Sequence, residues 1–419
     1  MKQFYNLKSI CLAFLLVGGL LSAQYADGII VSNEGNFMSP NADVSFIDYE
    51  TLEVTNDIYN TVNGEQLGDV LQHIGFYGDK AYLVINNSGK VVIADRETFK
   101  KEAVITEGIN LPRYITFAND KAYVTNSGSM SVTIYNTSDY SLVKEIPVNK
   151  TVEKIETIGN NIFVQNAAFG GGKYVTVINA TTDEIVKTIE LEGGIRSITT
   201  DGTNLYVISS TGDFTHIYTI DAKSFKITNT FKSTKIVKGG NISISDDLVF
   251  FTADDSIIYV MAKNFMDEPV EVAKVTYNPY FTFYGFNVIG KYLFSADASG
   301  FIAPSEVKVY DVESLDEIKT IKTTIGANGF YNNNIASLGV NDVAENNLEV
   351  KVYPNPVVDY LQLSGIETAD VKVFNLYGQL VKSFNYEGKA VNVSDLEAGL
   401  YIFMIETNHN SITKKVLVK

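Results

Sequence analysis

An all-β chain, a seven-bladed β-propeller followed by a small Ig-like β-sandwich, is predicted by three features of this 419-residue sequence. A unit of the form "KAYVTNSGSMSVTIYNTSDYSLVKEI" (Lys121 to Ile146) recurs as "KAYLVINNSGKVVIADRETFKKEAVI", "NIFVQNAAFGGGKYVTVINATTDEIVKTI" and "NLYVISSTGDFTHIYTIDAKSFKITNTF". Its apolar positions alternate with period two and are rich in Val, Ile, Thr, Tyr and Phe, which favours strands over the helices of other repeat proteins. Finally, the last 72 residues, 348–419, abandon the repeat and carry about seven short strand-like runs separated by turn residues.

The residue closing the third strand of each copy gives the count. Asp48, Asp95, Asn136, Asn179, Asp221, Ala262 and Asp311 are spaced by 47, 41, 43, 42, 41 and 49 residues, so there are seven units. A period of forty-odd residues with several strands per unit is the mark of a propeller, in which each copy is one small sheet. Within a copy the inner strand ("RYITFA", Arg113 to Ala118) leads to "AYVTN", then "VTIYN", then an outer "LVKEI" whose polar positions suit an exposed edge. No such sheet buries both faces alone, and packing around a ring buries them all.

The chain opens with Lys2 and Lys8, the apolar run "ICLAFLLVGGLL", and Ser22-Ala23 before Gln24. That is the pattern of a secretory signal peptide over 1–23, too short for a membrane span. Cys11, the single cysteine, lies within it, so the mature chain is expected to have no disulfide and no thiol-based site. Removing the two lysines leaves 31 basic against 49 acidic residues, a net charge of −18. Residues 24–330 carry 24 basic and 39 acidic residues, or −15, whereas 348–419 carry 7 against 8. An acidic surface repels phosphate backbones, which argues against nucleic acid as a partner.

The first repeat, "GIIVSNEGNFMSPNADVSFIDYETLEV", supplies only three strands. "IGANGFYNN" (Ile325 to Asn333) has the length and aromatic content to provide the missing inner strand, tying the two ends of the domain together. The propeller is thus expected over 24–331, a linker over 332–347, and the terminal sandwich over 348–419, with turns at Pro354-Asn355-Pro356, Tyr377-Gly378 and Ala398-Gly399.

Three resemblances emerge from these residues. "AYVTN" (Ala122 to Asn126), with weaker copies at Ile30 to Asn33, Phe163 to Asn166 and Tyr206 to Ser209, resembles the YVTN-repeat extracytoplasmic propellers. "VSNEGNF", "LGDV", "YGDKAYLVIN" and "PRYITFANDKAYVTN" are similar to a Bacteroidetes group of surface propellers that includes cobalamin-binding lipoproteins, although this chain lacks their lipidation cysteine after the signal peptide. "YPNPVVDYLQL", "VFNLYGQLV", "AGLYIFMI" and the terminal "KKVLVK" resemble the C-terminal sorting domain of type IX secretion cargo. The resemblances imply export across the outer membrane through residues 348–419, a secreted or cell-surface location, and a corrinoid as a ligand. No resident cofactor is expected.

A ligand site is expected where the channel opens, among the loops entering the inner strands. Counting ten residues back from the mark of each second strand (Tyr82, Tyr123, Phe163, Tyr206, Val249, Leu293) gives Gln72, Arg113, Glu153, Arg196, Gly239 and Phe283 as one ring. Two arginines, an amide, a carboxylate and an aromatic are equipment for a small polar molecule with amide or carboxylate groups, unless the arginines merely neutralise Glu153 or nearby carbonyls. The longer connections "NEGNFMSPN", "NAAFGGGK" and "ADASGFIAPSE" add Asn33, Asn36, Phe37, Phe169 and Phe301 as loop contacts. "AFGGGK" joins two strands and lacks the Gly-Lys-Ser/Thr ending, so it is no phosphate loop. "NPYFTFYGF" (Asn278 to Phe286) reads as an inner strand packed on both faces.

Catalysis finds no constellation. The three histidines, His73, His216 and His409, come from separate elements without metal-ligand spacing, and no serine sits in a nucleophile elbow. Asp246-Asp247 and Asp254-Asp255 are read as turn residues rather than an acid/base pair. The expected function is therefore capture of a small polar ligand. A protein- or glycan-binding adhesion module is the alternative, and a hydrolase with residues converging from distant blades is a third reading.

Overall fold

The computed structural model describes residues 25–168, 171–334, 350–375, 379–407 and 411–418. The proposed signal peptide, the linker residues 335–347, Phe169, Tyr377-Gly378 and His409 lie outside them. Residues 28–332 form seven four-stranded antiparallel sheets, and the terminal unit forms one sheet of three strands and one of four. Among the described residues no helix is long and apolar enough to cross a membrane.

All seven third strands end at the seven marked residues, Asp48 through Asp311. The reason is a repeated turn. The backbone carbonyls of Asp48, Asp95, Asn136, Asn179, Asp221 and Asp311 each accept the amide four residues on, and that of Ala262 accepts Phe265. Each accepted residue (Leu52, Phe99, Tyr140, Asp183, Phe225, Phe265, Leu315) has a positive φ. A mark's own side chain supports the turn where it is Asp or Asn: Asp95 Oδ1, for example, accepts from the Thr98 amide at 2.8 Å. Asp and Asn prefer such places because their short side chains bond the backbone two or three residues on.

The first sheet is completed from the far end of the repeat region. Ala327–Asn332 pairs antiparallel with Gly28–Asn33, with Tyr331 opposite Ile30. Asn333 then locks the junction. Fully buried, it accepts from Arg96 Nε at 2.6 Å through Oδ1 and donates from Nδ2 to the Tyr25 carbonyl at 2.6 Å.

Seven apolar clusters each span two consecutive sheets. One joins the second sheet to the third through Tyr82, Ile93, Ile115 and Tyr135, and another joins the seventh to the first through Phe294, Ile29 and Phe330. Each fully buried Val, Ile or Phe in them contributes about 1.5–3 kcal/mol relative to exposure. Outer strands such as Glu184–Glu190 are mostly exposed, as their charged sequences require. The short helix Ile58–Asn63, unforeseen from the strand periodicity, is held by Asp43, whose carboxylate accepts the Tyr59 and Asn60 amides at 2.8 and 3.1 Å.

Among the described residues the terminal unit has seven strands, from Lys351–Tyr353 to Ser411–Val418. Its two sheets share one apolar core containing Leu361, Leu363, Val373, Phe403 and Val416.

Candidate functional site

The inner strands begin at the end of the channel where the loops from outer strand to next inner strand meet those between second and third strands. In three sheets the first residues of the inner strand carry a bulge, and the bulged residues are Asn328, Gln72 and Arg196. A bulge re-aims a side chain out of the ladder, here toward the channel. Arg113 lies in a similar irregularity between Pro112 and Ile115, and the Glu153 amide donates to the Gln165 carbonyl at 3.0 Å.

The same backbone bond identifies the equivalents in the last two sheets: the Gly240 amide donates to Thr252 and the Tyr284 amide to Ala296. Counting from Val249 and Leu293 therefore slips by one residue, and Gly239 and Phe283 are corrected to Gly240 and Tyr284. The second strands there, "LVFFTA" and "YLFSAD", are apolar at successive positions, so the third-position aromatics Phe250 and Phe294, the true counterparts of Tyr82, were not distinguishable by pattern. Phe283 itself is buried in the cluster between the sixth and seventh sheets. "NPYFTFYGF" is corrected too: only Gly285–Ile289 is strand, and Tyr280 in the preceding loop is 89% exposed.

Five of the seven ring positions are chained together. The Tyr284 hydroxyl donates to Glu34 Oε2 at 2.7 Å, and Asn328 Nδ2 donates to Glu34 Oε1 at 2.7 Å and to the Gln72 carbonyl at 3.1 Å. Arg113 then donates from Nη1 to the Gln72 amide oxygen and from Nε to Glu153 Oε2 at 2.8 Å. Burial raises the Glu34 and Glu153 carboxyls, with Tyr284 and Asn328 opposing the rise at Glu34 and Arg113 opposing it at Glu153. Burial also works against the Arg113 charge, but Glu153 outweighs it and its pKa is raised.

Deeper in the channel lie Lys154 and Glu156, which the sequence did not single out, and His73. Lys154 Nζ donates to Ser197 Oγ at 2.9 Å. Burial lifts the Glu156 carboxyl to about 7 against the pull of Lys154, and holds His73 neutral with its pKa lowered to about 3. His73 packs against Tyr114 and Tyr331, with ring centroids 4.9 and 5.3 Å away.

The chain stops at Glu153, and the remaining ring positions, Arg196 and Gly240, face a cleft of about 430 Å³ between the fifth, sixth and seventh sheets. Phe283, Tyr277, Tyr280, Asn241 and the Lys238–Asp255 ion pair complete its walls. Arg196 is exposed, bonds Ser210 Oγ through Nε at 3.1 Å, and takes part in none of the ion pairs found among the described residues. The sequence contains three arginines. Arg96 is spent on Asn333 and the face of Phe76, Arg113 on Glu153 and Gln72, and Arg196 alone is left to solvent. Any side chain at Gly239 or Gly240 would enter this floor badly, since a Cβ would lie 2.5 Å from Thr215 Cγ2 or 2.7 Å from Thr252 Oγ1.

The loop residues divide. Asn33 is fully buried with its amide donating to Ser45 Oγ at 2.9 Å, so it is corrected from ligand contact to strand-end lock. Asn36 bonds Asn41 and the Phe301 carbonyl, and Phe301 packs on Tyr284 with centroids 4.7 Å apart. Phe37 is 70% exposed. Among the described residues no group of three or more His, Cys, Asp or Glu is placed to hold a metal ion.

The DUF5074 family, a domain of unknown function, matches residues 27–390. The chain belongs to the DUF5074 family. No curated protein matches it in sequence. This DUF5074 member is similar in fold to a 6-phosphogluconolactonase-like protein from Bacteroides uniformis ATCC 8492, at TM-score 0.56 and 14% identity over 73% of this chain and 99% of that one. The counterpart from Bacteroides fragilis NCTC 9343 gives 0.55 and 14%, over 73% and 98%. Kuenenia stuttgartiensis hydrazine synthase gives 0.53 and 16%, over 64% and 93%. At these identities the likeness shows the β-propeller fold, and the DUF5074 cleft is read from its own residues.

Proposed function

We propose that this chain is a secreted, seven-bladed propeller that captures a small polar ligand at the channel mouth, exported by type IX secretion through an Ig-like sorting domain at 348–419. The observation carrying the binding reading is the break in the ring: five positions satisfy one another, whereas Arg196 keeps an unpaired guanidinium over a cleft with aromatic walls. A cleft of this volume lies within the range of small-molecule sites. Arg is suited to a carboxylate or amide oxygen because its planar fork donates two parallel hydrogen bonds. A corrinoid is much larger than the cleft and would have to lie across the loop face.

The test is a thermal-shift screen of the full chain against sugars, sugar acids, amino acids, nucleosides and cyanocobalamin. A ligand at one hundred times its dissociation constant stabilises by about 2.7 kcal/mol. The reading requires a shift that disappears in Arg196→Gln, and a shift retained in that variant contradicts it.

Adhesion through the loop face is favoured by a different observation. Phe37, Met38 and Ile302 are 70%, 79% and 84% exposed on neighbouring loops joined by the Asn36 contact to Phe301. Exposed apolar groups gathered on one face mark contact surfaces. Replacing all three by serine would abolish cell or matrix attachment on that reading and leave small-ligand shifts intact.

A further inference from the structure

The chemistry of the cleft narrows the ligand further, on the reading that the cleft is the binding site. We infer that it takes a hexuronate, a sugar ring carrying one carboxylate. The charge count comes first. Among the described residues Arg196 is the one unpaired cation of the cleft, because Lys238 is neutralised by Asp255. One guanidinium matches one carboxylate in bidentate geometry. A phosphate monoester, with up to two charges, would call for more donors than one fork, and the backbone amides of Gly239 and Gly240 are already committed to Thr215 Oγ1 and the Thr252 carbonyl at 2.8 Å each. The acidic surface, −16 over the full sequence, disfavours polyanions at longer range.

The walls speak for a sugar rather than an aromatic acid. Tyr277 and Tyr280 are 49% and 89% exposed, so they offer open ring faces and not an enclosed apolar slot. An open aromatic face suits the C–H side of a pyranose, whose hydroxyls stay in water. Thr211, Asn241 and Asp255 line the rest, and although Asn241 Nδ2 is spent on the Phe283 carbonyl at 2.8 Å, the remaining oxygens form a polar surface that can accept from ring hydroxyls.

Isothermal titration of the full chain with D-galacturonate and D-glucuronate, set against D-galactose and D-glucose, tests this. At least one uronate is expected to bind ten-fold or more tightly than its neutral sugar, with Arg196→Gln removing that difference and Tyr280→Ala weakening both members of the pair. Equal affinity for the uronate and its neutral counterpart, or an unchanged difference in Arg196→Gln, overturns the inference, as does the absence of any uronate binding at millimolar concentration. If another ligand class binds in an Arg196-dependent manner while no uronate does, the hexuronate inference falls and the cleft reading stands. If no ligand depends on Arg196, the cleft reading falls with it. Circular dichroism and urea midpoints of both variants separate loss of binding from loss of fold.

Discussion

Arg113 Nε donates to Glu153 Oε2 at 2.8 Å, which ends a run of hydrogen bonds that begins at the Tyr284 hydroxyl and passes through Glu34, Asn328 and Gln72. Both partners are largely sequestered, with side chains 22% and 14% accessible. Arg196, two positions further round the same ring, takes part in no ion pair among the described residues and bonds only Ser210 Oγ through Nε. Two arginines equivalent by position are therefore opposite in role.

Stability separates them. Removing one member of a buried pair strands the other charge, at a cost of about 3–5 kcal/mol, whereas exposed changes stay within about 0.5 kcal/mol. Arg113→Met should lower the urea midpoint of the propeller strongly, and Arg196→Met should leave it nearly unchanged. Equal effects in equilibrium unfolding would contradict the division of the ring.

The closing strand makes a second prediction. Asn333 joins Arg96, Tyr25 and the end of Ala327–Asn332 in one buried knot. Asn333→Ala leaves the Arg96 guanidinium short of an acceptor, which should cost about 2–3 kcal/mol. Deleting Gly326 to Asn333 should lower the melting temperature cooperatively, because it strips the first sheet of its inner strand. Calorimetry showing only local fraying, with the main transition in place, would refute this.

The channel predicts a pH dependence. Burial raises the Glu156 carboxyl from 4.5 to about 7 in the folded chain. Between those values this carboxyl holds its proton more often in the native than in the unfolded state, so its contribution to stability is fully present below about pH 4.5 and is lost as pH rises toward 7. Glu34 and Glu153, also raised by burial, act in the same direction. Glu156→Gln should remove about 1–3 kcal/mol of that fall, and urea unfolding of both proteins across this range measures the difference. Identical slopes would mean the carboxyl is fully hydrated.

Much of this architecture was written locally. The marks from Asp48 to Asp311 could be read because one turn chemistry, an Asp or Asn bonding the next few amides, repeats in nearly every copy. The ring was legible where a polar residue alternates with the strand, as at Gln72, Arg113, Glu153 and Arg196. It was lost where the strand is apolar throughout, which displaced Tyr284 to Phe283. Glu34 and Asn328 carry no local signal because their bond spans 294 residues and depends on how the first sheet is closed. That Arg113 is satisfied and Arg196 is not follows from neighbours contributed by other sheets, which no local pattern encodes.

The most direct test of the central claim uses the three arginines as reporters. Treating the native full chain with phenylglyoxal, which modifies accessible guanidinium groups, and mapping adducts by peptide mass spectrometry compares all three in one experiment. Rapid modification at Arg196, with Arg96 and Arg113 protected until urea unfolds the chain, is the predicted result. Arg113 reacting as fast as Arg196 would show that the ring is open all round and would contradict the account.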